Sequence, residues 1–116
     1  MIEILFLLFV KHFIVDFPLQ TSYQYLNKGK YLHFGGILHS SLHGVATFIC
    51  FLFAAPDLAL IAATIDFVVH YHVDYLKVNV NNKFNWKPNT HEEFWWLLGL
   101  DQLIHALTYL YLVSLI

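Results

Sequence analysis

Residues 66–75 read DFVVHYHVDY, and this stretch decides the fold. Asp66, His70 and Asp74 are spaced four residues apart, so a helix would place all three on one face. The residues between them are mostly apolar. Ionisable side chains cost about 2.5–3.5 kcal/mol each at the centre of a membrane helix, so they are usually buried in a bundle and functional. The stretch therefore predicts a helix with one buried polar face.

The same spacing of ionisable residues occurs once in each of three other apolar segments. The pairs are His12/Asp16, His39/His43 and Asp101/His105. Four such segments predict an all-α protein, a four-helix transmembrane bundle with a polar core. Each segment is close to the ~20 residues that span a bilayer. We expect one integral membrane domain, residues 1–116, with helices at about 2–19, 35–55, 57–77 and 94–116.

The composition favours lipid over water as the solvent of the outer faces. The 116 residues are 59% hydrophobic and 12% charged, whereas a soluble domain carries about 25% charged residues. Six lysines, no arginine and a net charge of -2 leave no basic stripe, which argues against a nucleic-acid partner. The single cysteine excludes an intramolecular disulfide. The expected partners are membrane lipids, and a homodimer is compatible with so small a bundle.

The placement of the lysines predicts the topology. Lys28 and Lys30 lie in the first loop, and Lys77, Lys83 and Lys87 lie in or beside the third loop. The positive-inside rule makes both loops cytoplasmic. The chain is therefore predicted to be a multi-pass protein of the cytoplasmic (inner) membrane with both termini outside. With a rise of 1.5 Å per residue, all the polar pairs then fall at one depth in the cytoplasmic half, where they would form one site.

Two helical hairpins of the chain look alike. HFIVDF at residues 12–17 resembles HYHVDY at residues 70–75, and the pairs His39/His43 and Asp101/His105 follow at similar distances. The bundle is thus possibly two duplicated hairpins related by an axis along the membrane normal. Chance similarity of short motifs is the alternative.

Histidine and aspartate together are typical of a metal site, and imidazole ligands favour Zn, Mn or Fe over Ca or Mg. Nine candidate metal ligands occur in the four segments: His12, Asp16, His39, His43, Asp66, His70, Asp74, Asp101 and His105. They exceed the four ligands of one tetrahedral zinc ion and suffice for two ions. We expect one or two divalent ions, with zinc favoured and manganese or iron as alternatives.

The negative charge of the candidate aspartates also favours bound cations. The candidate aspartates supply four negative charges against the single positive charge of Lys11, an excess of three that a low-dielectric site does not tolerate without cations or protons. Asp66 and Asp74 are candidate catalytic residues because an aspartate that binds no metal can act as a general base. Lys11 has three open roles: it snorkels, pairs with an aspartate, or holds a substrate anion.

Four motifs together resemble a known family. They are HFIVDFPLQTSYQYLNKGK at residues 12–30, LHSSLHG at 38–44, the His-x3-Asp segment at 70–74, and DQLIHAL at 101–107. This set resembles an uncharacterised family of small bacterial and phage integral membrane proteins, known as a domain of unknown function. The resemblance implies a polytopic membrane protein. More distantly, the chain is similar to membrane-bound metal-dependent hydrolases.

Three functions remain open at this point. The first is a membrane-embedded metal-dependent hydrolase that acts on a lipid or phosphorylated lipid, with a metal-activated water as nucleophile. The second is a transporter or channel for protons or cations, because buried His/Asp chains form proton relays. The third is an interaction or regulatory protein in which polar contacts only hold the helices together.

Overall fold

The computed structural model describes all 116 residues, and its regular elements are helical. The elements in chain order are α1 (Ile2–Asp16), α2 (Ser22–Tyr25), α3 (Phe34–Leu52), a short 3-10 helix (Pro56–Leu58), α4 (Ala59–Phe84) and α5 (Glu92–Ser114). The all-α prediction is confirmed. Two helices, α3 and α5, are long and apolar enough to cross a membrane.

The largest difference from the expected boundaries lies in α4. The helix continues past residue 77 to Phe84 and ends where Asn85 adopts a left-handed conformation with φ of 52°. The polar asparagines do not end it because Asn79 Nδ2 donates to the carbonyl oxygens of Tyr75, at 2.8 Å, and of Gly29, at 3.0 Å. This contact also ties the first loop to α4.

The four long helices make a closed ring of contacts. α1 packs against α3 and α5, and α4 packs against the same two helices, with α3 and α4 in the most extensive contact. Gly44 permits that contact, since a Cβ there would lie 3.2 Å from the carbonyl oxygen of Ala63. The short α2 lies on α3, where a Cβ on Gly35 would overlap the carbonyl oxygen of Tyr23.

The interior of the ring has two regions. The apolar region joins the start of α1 to the ends of α3 and α5 through Ile4, Leu8, Phe51, Ala59, Ala62, Tyr109, Leu112 and Val113. The polar region occupies the rest, and polar or charged residues make up 15 of the 28 buried residues in the chain. Large apolar side chains such as Phe6, Phe13 and Leu103 are exposed. This distribution is the reverse of that in a soluble protein, where charged residues are almost never fully buried unless paired.

Candidate metal centre

The centre of the polar region is the carboxylate of Asp16, at the last turn of α1. Its Oδ1 lies 2.9 Å from His43 Nε2, 3.0 Å from His39 Nε2 and 3.6 Å from His70 Nε2. Its Oδ2 lies 2.9 Å from His12 Nε2. Four imidazoles from α1, α3 and α4 therefore turn the same ring nitrogen toward one carboxylate, because the i, i+4 pairs of these helices face inward.

Asp74 forms the adjoining part of the site. Its Oδ2 lies 3.3 Å from His70 Nε2 and 3.4 Å from His39 Nε2, while its Oδ1 lies 3.5 Å from His105 Nε2. His105 Nε2 is in turn 3.3 Å from Asp101 Oδ1. The histidines His39 and His70 thus lie between the carboxylates of Asp16 and Asp74 and connect them.

Lysines pair with three of the four aspartates. The nitrogen–oxygen distances are 2.5 Å for Lys11–Asp66, 2.9 Å for Lys28–Asp74 and 3.4 Å for Lys77–Asp101. With neutral histidines, the net charge of these groups is therefore -1, carried by Asp16. The expected excess of three negative charges is wrong because Lys28, from the first loop, and Lys77, from α4, also reach the site. Of the three roles left open for Lys11, the structure shows pairing with an aspartate.

Two groups of side chains could hold a metal ion. They are Asp16, His39, His43 and His70, and then His70, Asp74 and His105; within each group the ligand atoms lie within 4.8 Å of one another. Ligand atoms around a tetrahedral ion with bonds of 2.0–2.1 Å are about 3.3 Å apart. The distances from Asp16 Oδ1 to the three Nε2 atoms straddle that value. His70 belongs to both groups, and its Nε2 has one lone pair, so it can bind one ion only.

His12 lies outside both groups, and its partners identify it as a hydrogen-bond donor. Gln102 Nε2 donates to Asp101 Oδ2 at 3.0 Å, which leaves Gln102 Oε1 facing His12 Nε2 at 3.0 Å. A carboxamide oxygen only accepts, so His12 Nε2 carries hydrogen and donates to it and to Asp16. Tyr109 donates its hydroxyl to His12 Nδ1 at 2.7 Å. His12 therefore orients Asp16 and has no free lone pair for a metal ion.

Asp66 and Asp101 also lie outside both groups. Asp66 Oδ2 accepts from Lys11 and from Thr47 Oγ1, the latter at 2.5 Å. The Lys11 ammonium also lies 3.1 Å from His43 Nδ1. An ammonium only donates, so this contact places the hydrogen of a neutral His43 on Nε2, where it donates to Asp16. Asp101 faces Lys77 and the side chain of Gln102.

His39 has the opposite tautomer. Gln24 Nε2 donates to the carbonyl oxygen of Leu19 at 3.2 Å, which leaves Gln24 Oε1 to accept from His39 Nδ1 at 3.0 Å. A neutral His39 then carries its lone pair on Nε2, directed at Asp16 and Asp74. Such an arrangement of a lone pair and two carboxylate oxygens requires a proton or a cation between them. A metal-bound histidine typically donates its other nitrogen to an acceptor in this way.

Several polar atoms of this region are buried without a hydrogen-bond partner. They are His70 Nδ1, Asp101 Oδ1 and His105 Nε2, the last two facing each other at 3.3 Å. Buried polar atoms are normally paired, so a cluster of exceptions calls for an explanation, such as a bound ion. The rings of His43, His70 and His105 also stack, with centroids 3.6 Å and 3.9 Å apart. Stacked imidazolium ions would repel one another, so the stack suits neutral rings, the form that binds metals.

Sequence reasoning missed four residues of the site. Gln24 and Tyr109 fix histidine tautomers, and Lys28 and Lys77 neutralise aspartates. The sequence pattern indicates only a topological role for the two lysines. The spacing of Lys77 on the helix that carries Asp74 could have identified it as a residue near the site, whereas nothing in the sequence signals that the first loop folds back over the polar region.

Comparison with known proteins establishes family membership. The family described as "Protein of unknown function (DUF3307)" matches residues 4–116, and the chain belongs to this family. Neither the curated proteins nor the solved structures contain a significant match.

Proposed function

We propose that this protein is a membrane-embedded metal-dependent hydrolase whose substrate is a lipid or a phosphorylated lipid. The observation that carries the proposal is the lone pair of His39 Nε2, which faces Asp16 Oδ1 at 3.0 Å and Asp74 Oδ2 at 3.4 Å. A divalent cation bound by His39 Nε2 and Asp16 Oδ1 would replace their repulsion with two metal–ligand bonds and would leave Asp74 beside the ion. The polar residues around it would then be retained for chemistry and not for packing alone.

Membrane embedding of all four long helices is part of the proposal. It is supported by the reversed polarity of the molecule, with charged residues inside and large apolar residues outside. α1 has 15 residues, and α4 carries the buried Asp66, His70 and Asp74. Both helices would cross the bilayer packed against α3 and α5. The lysine-containing loops would lie on the cytoplasmic side, with both termini outside.

The proposed ion is single and has three protein ligands: Asp16 Oδ1, His39 Nε2 and His70 Nε2. The two nitrogens are 3.3 Å apart, and Asp16 Oδ1 lies 3.0 Å and 3.6 Å from them, which fits bonds of about 2.0–2.1 Å. Zinc would suit this set, with manganese or iron as alternatives. Three protein ligands leave one position for water, as in catalytic zinc sites.

Asp74 is the proposed general base. Its Oδ2 is buried, pairs with Lys28 Nζ at 2.9 Å and lies 3.3 Å from His70 Nε2 and 3.4 Å from His39 Nε2, the two ligand nitrogens. The ion would lower the pKa of a bound water toward about 7. As that water adds to the carbonyl carbon or phosphorus of the ester, its proton would pass to Asp74. The ester bond to the leaving oxygen then breaks, and the proton returns to the leaving alcohol.

Proton conduction is the second candidate, because a proton on His39 Nε2 would also satisfy the two carboxylates. A chain of contacts runs from Asp66 through Lys11, His43 and Asp16 to His39. This candidate predicts proton flux in liposomes without bound metal. Absence of flux in a folded sample would remove it.

The test of hydrolysis combines lipid analysis with one conservative substitution. Protein in lipid nanodiscs is incubated with Zn, Mn or Fe, and released products are measured by mass spectrometry. We expect Asp74→Asn to lose at least about a hundredfold in rate, the range of a general base, and to keep its metal. His72→Ala, at an exposed position of the same helix, is the control. Metal-loaded protein that releases no product from any lipid would contradict the proposal.

A further inference from the structure

Two cavities lie between α4 and α5, and Lys77 lines both of them. A cavity of about 330 Å³ lies toward the loop end, with Tyr25, Asn81 and Phe94 in its wall. A second cavity of about 220 Å³ lies toward the site. Leu97 also lines both cavities. We call the two cavities together the α4–α5 cleft. Most of the remaining lining of the inner cavity is apolar.

We propose that this cleft binds the lipid substrate, and that the substrate carries a phosphodiester with a hydroxyl group beside it, as in a phosphoglycerol head group. The acyl chain would lie along the apolar wall, and the phosphate would bind Lys77. This proposal names the substrate class of the hydrolase proposed above. The hydrolysis of the lipid rests on that proposed function, whereas the binding of the lipid does not.

Lys77 is suited to bind an anion because it is the most weakly held of the three lysines that pair with aspartates of the site. Its side chain is 24% exposed, and its ammonium lies 3.4 Å from Asp101. The side chains of Lys11 and Lys28 are 7% and 8% exposed, and both make shorter ion pairs. Lys77 is also the one charged donor in the walls of the cleft. Its partner Asp101 is only 2% exposed, so Lys77 would bind an anion on its exposed side while it keeps the 3.4 Å contact with Asp101.

The inner end of the cleft has one carboxylate beside Lys77. Asp101 lines the inner cavity, and its Oδ1 accepts no hydrogen bond, although His105 Nε2 lies 3.3 Å from it. A bare phosphate would be repelled by Asp101 Oδ1, whereas a hydroxyl can donate to it. A head group that carries a phosphate and a hydroxyl satisfies Lys77 and Asp101 together.

The charge of the site fits a monoanion. Four buried aspartates and three lysines with neutral histidines give -1, and one divalent ion would change this to +1. A phosphodiester carries one negative charge and would neutralise the site. A zwitterionic head group would leave its own positive charge beside Lys77.

The test measures binding and not turnover. Metal-loaded and metal-free protein in neutral detergent is titrated with a short-chain phosphatidylglycerol, the matching phosphatidylcholine, or inorganic phosphate. We expect phosphatidylglycerol to bind about tenfold more tightly than phosphatidylcholine, and Lys77→Gln to abolish this preference. Lys83→Gln, at an exposed position of the same helix, should retain it. Leu97→Trp should weaken both lipids, and Leu103→Trp, on the exposed face of α5, should weaken neither.

Each outcome decides between explanations. Equal effects of Lys77→Gln and Lys83→Gln, or unchanged binding in Leu97→Trp, would overturn the cleft as the lipid site. Competition by inorganic phosphate at the same concentration as the lipid would show a phosphate site without lipid recognition. A lipid preference without turnover would retain the cleft and reject hydrolysis. If wild-type protein with normal metal content binds both lipids equally, the cleft is rejected as the lipid site while the proposed hydrolase is not.

Discussion

The apolar and polar regions of this molecule are held together by different forces. The apolar region depends on close packing of residues such as Leu8, Phe51 and Leu112, each with 0% exposure. In lipid such packing provides contact energy but no hydrophobic driving force between helices. The polar region depends on directional contacts in which each donor needs its acceptor. The comparison indicates that packing stabilises the first region, whereas the second depends on the protonation of its side chains and, in our proposal, on a bound cation.

The largest expected effect follows from Asp16→Asn, which removes the one aspartate of the polar region that has no lysine partner. The substitution replaces the proposed carboxylate ligand with a neutral amide and removes the charge that attracts a cation, so bound metal should fall from about one equivalent to none. Elemental analysis of purified protein measures this directly. Asp57→Asn, at an exposed aspartate in the 3-10 helix, should keep its metal. Full metal content in Asp16→Asn would place the ion elsewhere.

The next largest expected effect is a loss of stability when the buried ion pair between Lys11 and Asp66 is broken. Lys11→Met leaves Asp66 without its cation, and loss of one partner of a buried pair typically costs about 3–5 kcal/mol. Unfolding of the detergent-solubilised protein by denaturant should show this loss. The double variant Lys11→Met/Asp66→Leu should recover most of it, because an apolar replacement of a whole pair is often neutral. It should also bind metal, and a metal-free double variant would make Asp66 a ligand.

A cavity in the apolar region should reduce stability less than the loss of the buried ion pair does, and it should leave metal binding unchanged. Leu112→Ala removes a fully buried side chain, and such truncations cost about 2–5 kcal/mol. We expect a value near the lower limit, with metal content unchanged, because Leu112 packs within the apolar region and away from the proposed ligands. Thermal unfolding and metal analysis of one sample check both points. Joint loss of stability and metal would show that the two regions are coupled.

The smallest expected effect concerns one hydrogen bond. Gln24→Leu removes the acceptor of His39 Nδ1 and should weaken metal binding about 10–100-fold, as for other residues that orient metal ligands. Competition with a chelator measures the change in affinity. Gln20→Leu is the matched control, since Gln20 Nε2 donates only to the carbonyl oxygen of Asp16. Equal changes in both variants would remove the role assigned to Gln24.

The sequence predicted the helices better than their ends. The i, i+4 pairs place polar side chains on single faces, and the structure has a helix at each of the four segments. The predicted end of α4 was wrong because Asn79 finds acceptors in its own helix and in the first loop. That contact depends on how the loop folds back, which no local pattern contains. The crossing of four membrane spans stays a prediction, since two helices meet the criteria of length and hydropathy.

For the site, the sequence identified residue types and the structure adds their pairing. His12 and His70 occupy equivalent positions in the two similar hairpins, yet His12 contacts Gln102 and Tyr109 whereas His70 stacks between two imidazoles. Their different roles come from residues on other helices. Periodicity gives the face of a side chain, but the tautomer of a histidine depends on tertiary neighbours. For this reason nine candidate ligands could be named from the sequence, while the proposed set of three required the structure.

The most direct test of the account is the metal content of protein purified in detergent without chelators. We expect about one equivalent of zinc, manganese or iron in the wild type. His39→Ala and His70→Ala should contain none, whereas His43→Ala, whose Nδ1 faces Lys11, and the exposed His72→Ala should keep it. A wild-type protein without metal after incubation with all three ions would contradict the account and favour a proton on His39. Loss of metal in His43→Ala alone would contradict the assigned ligands.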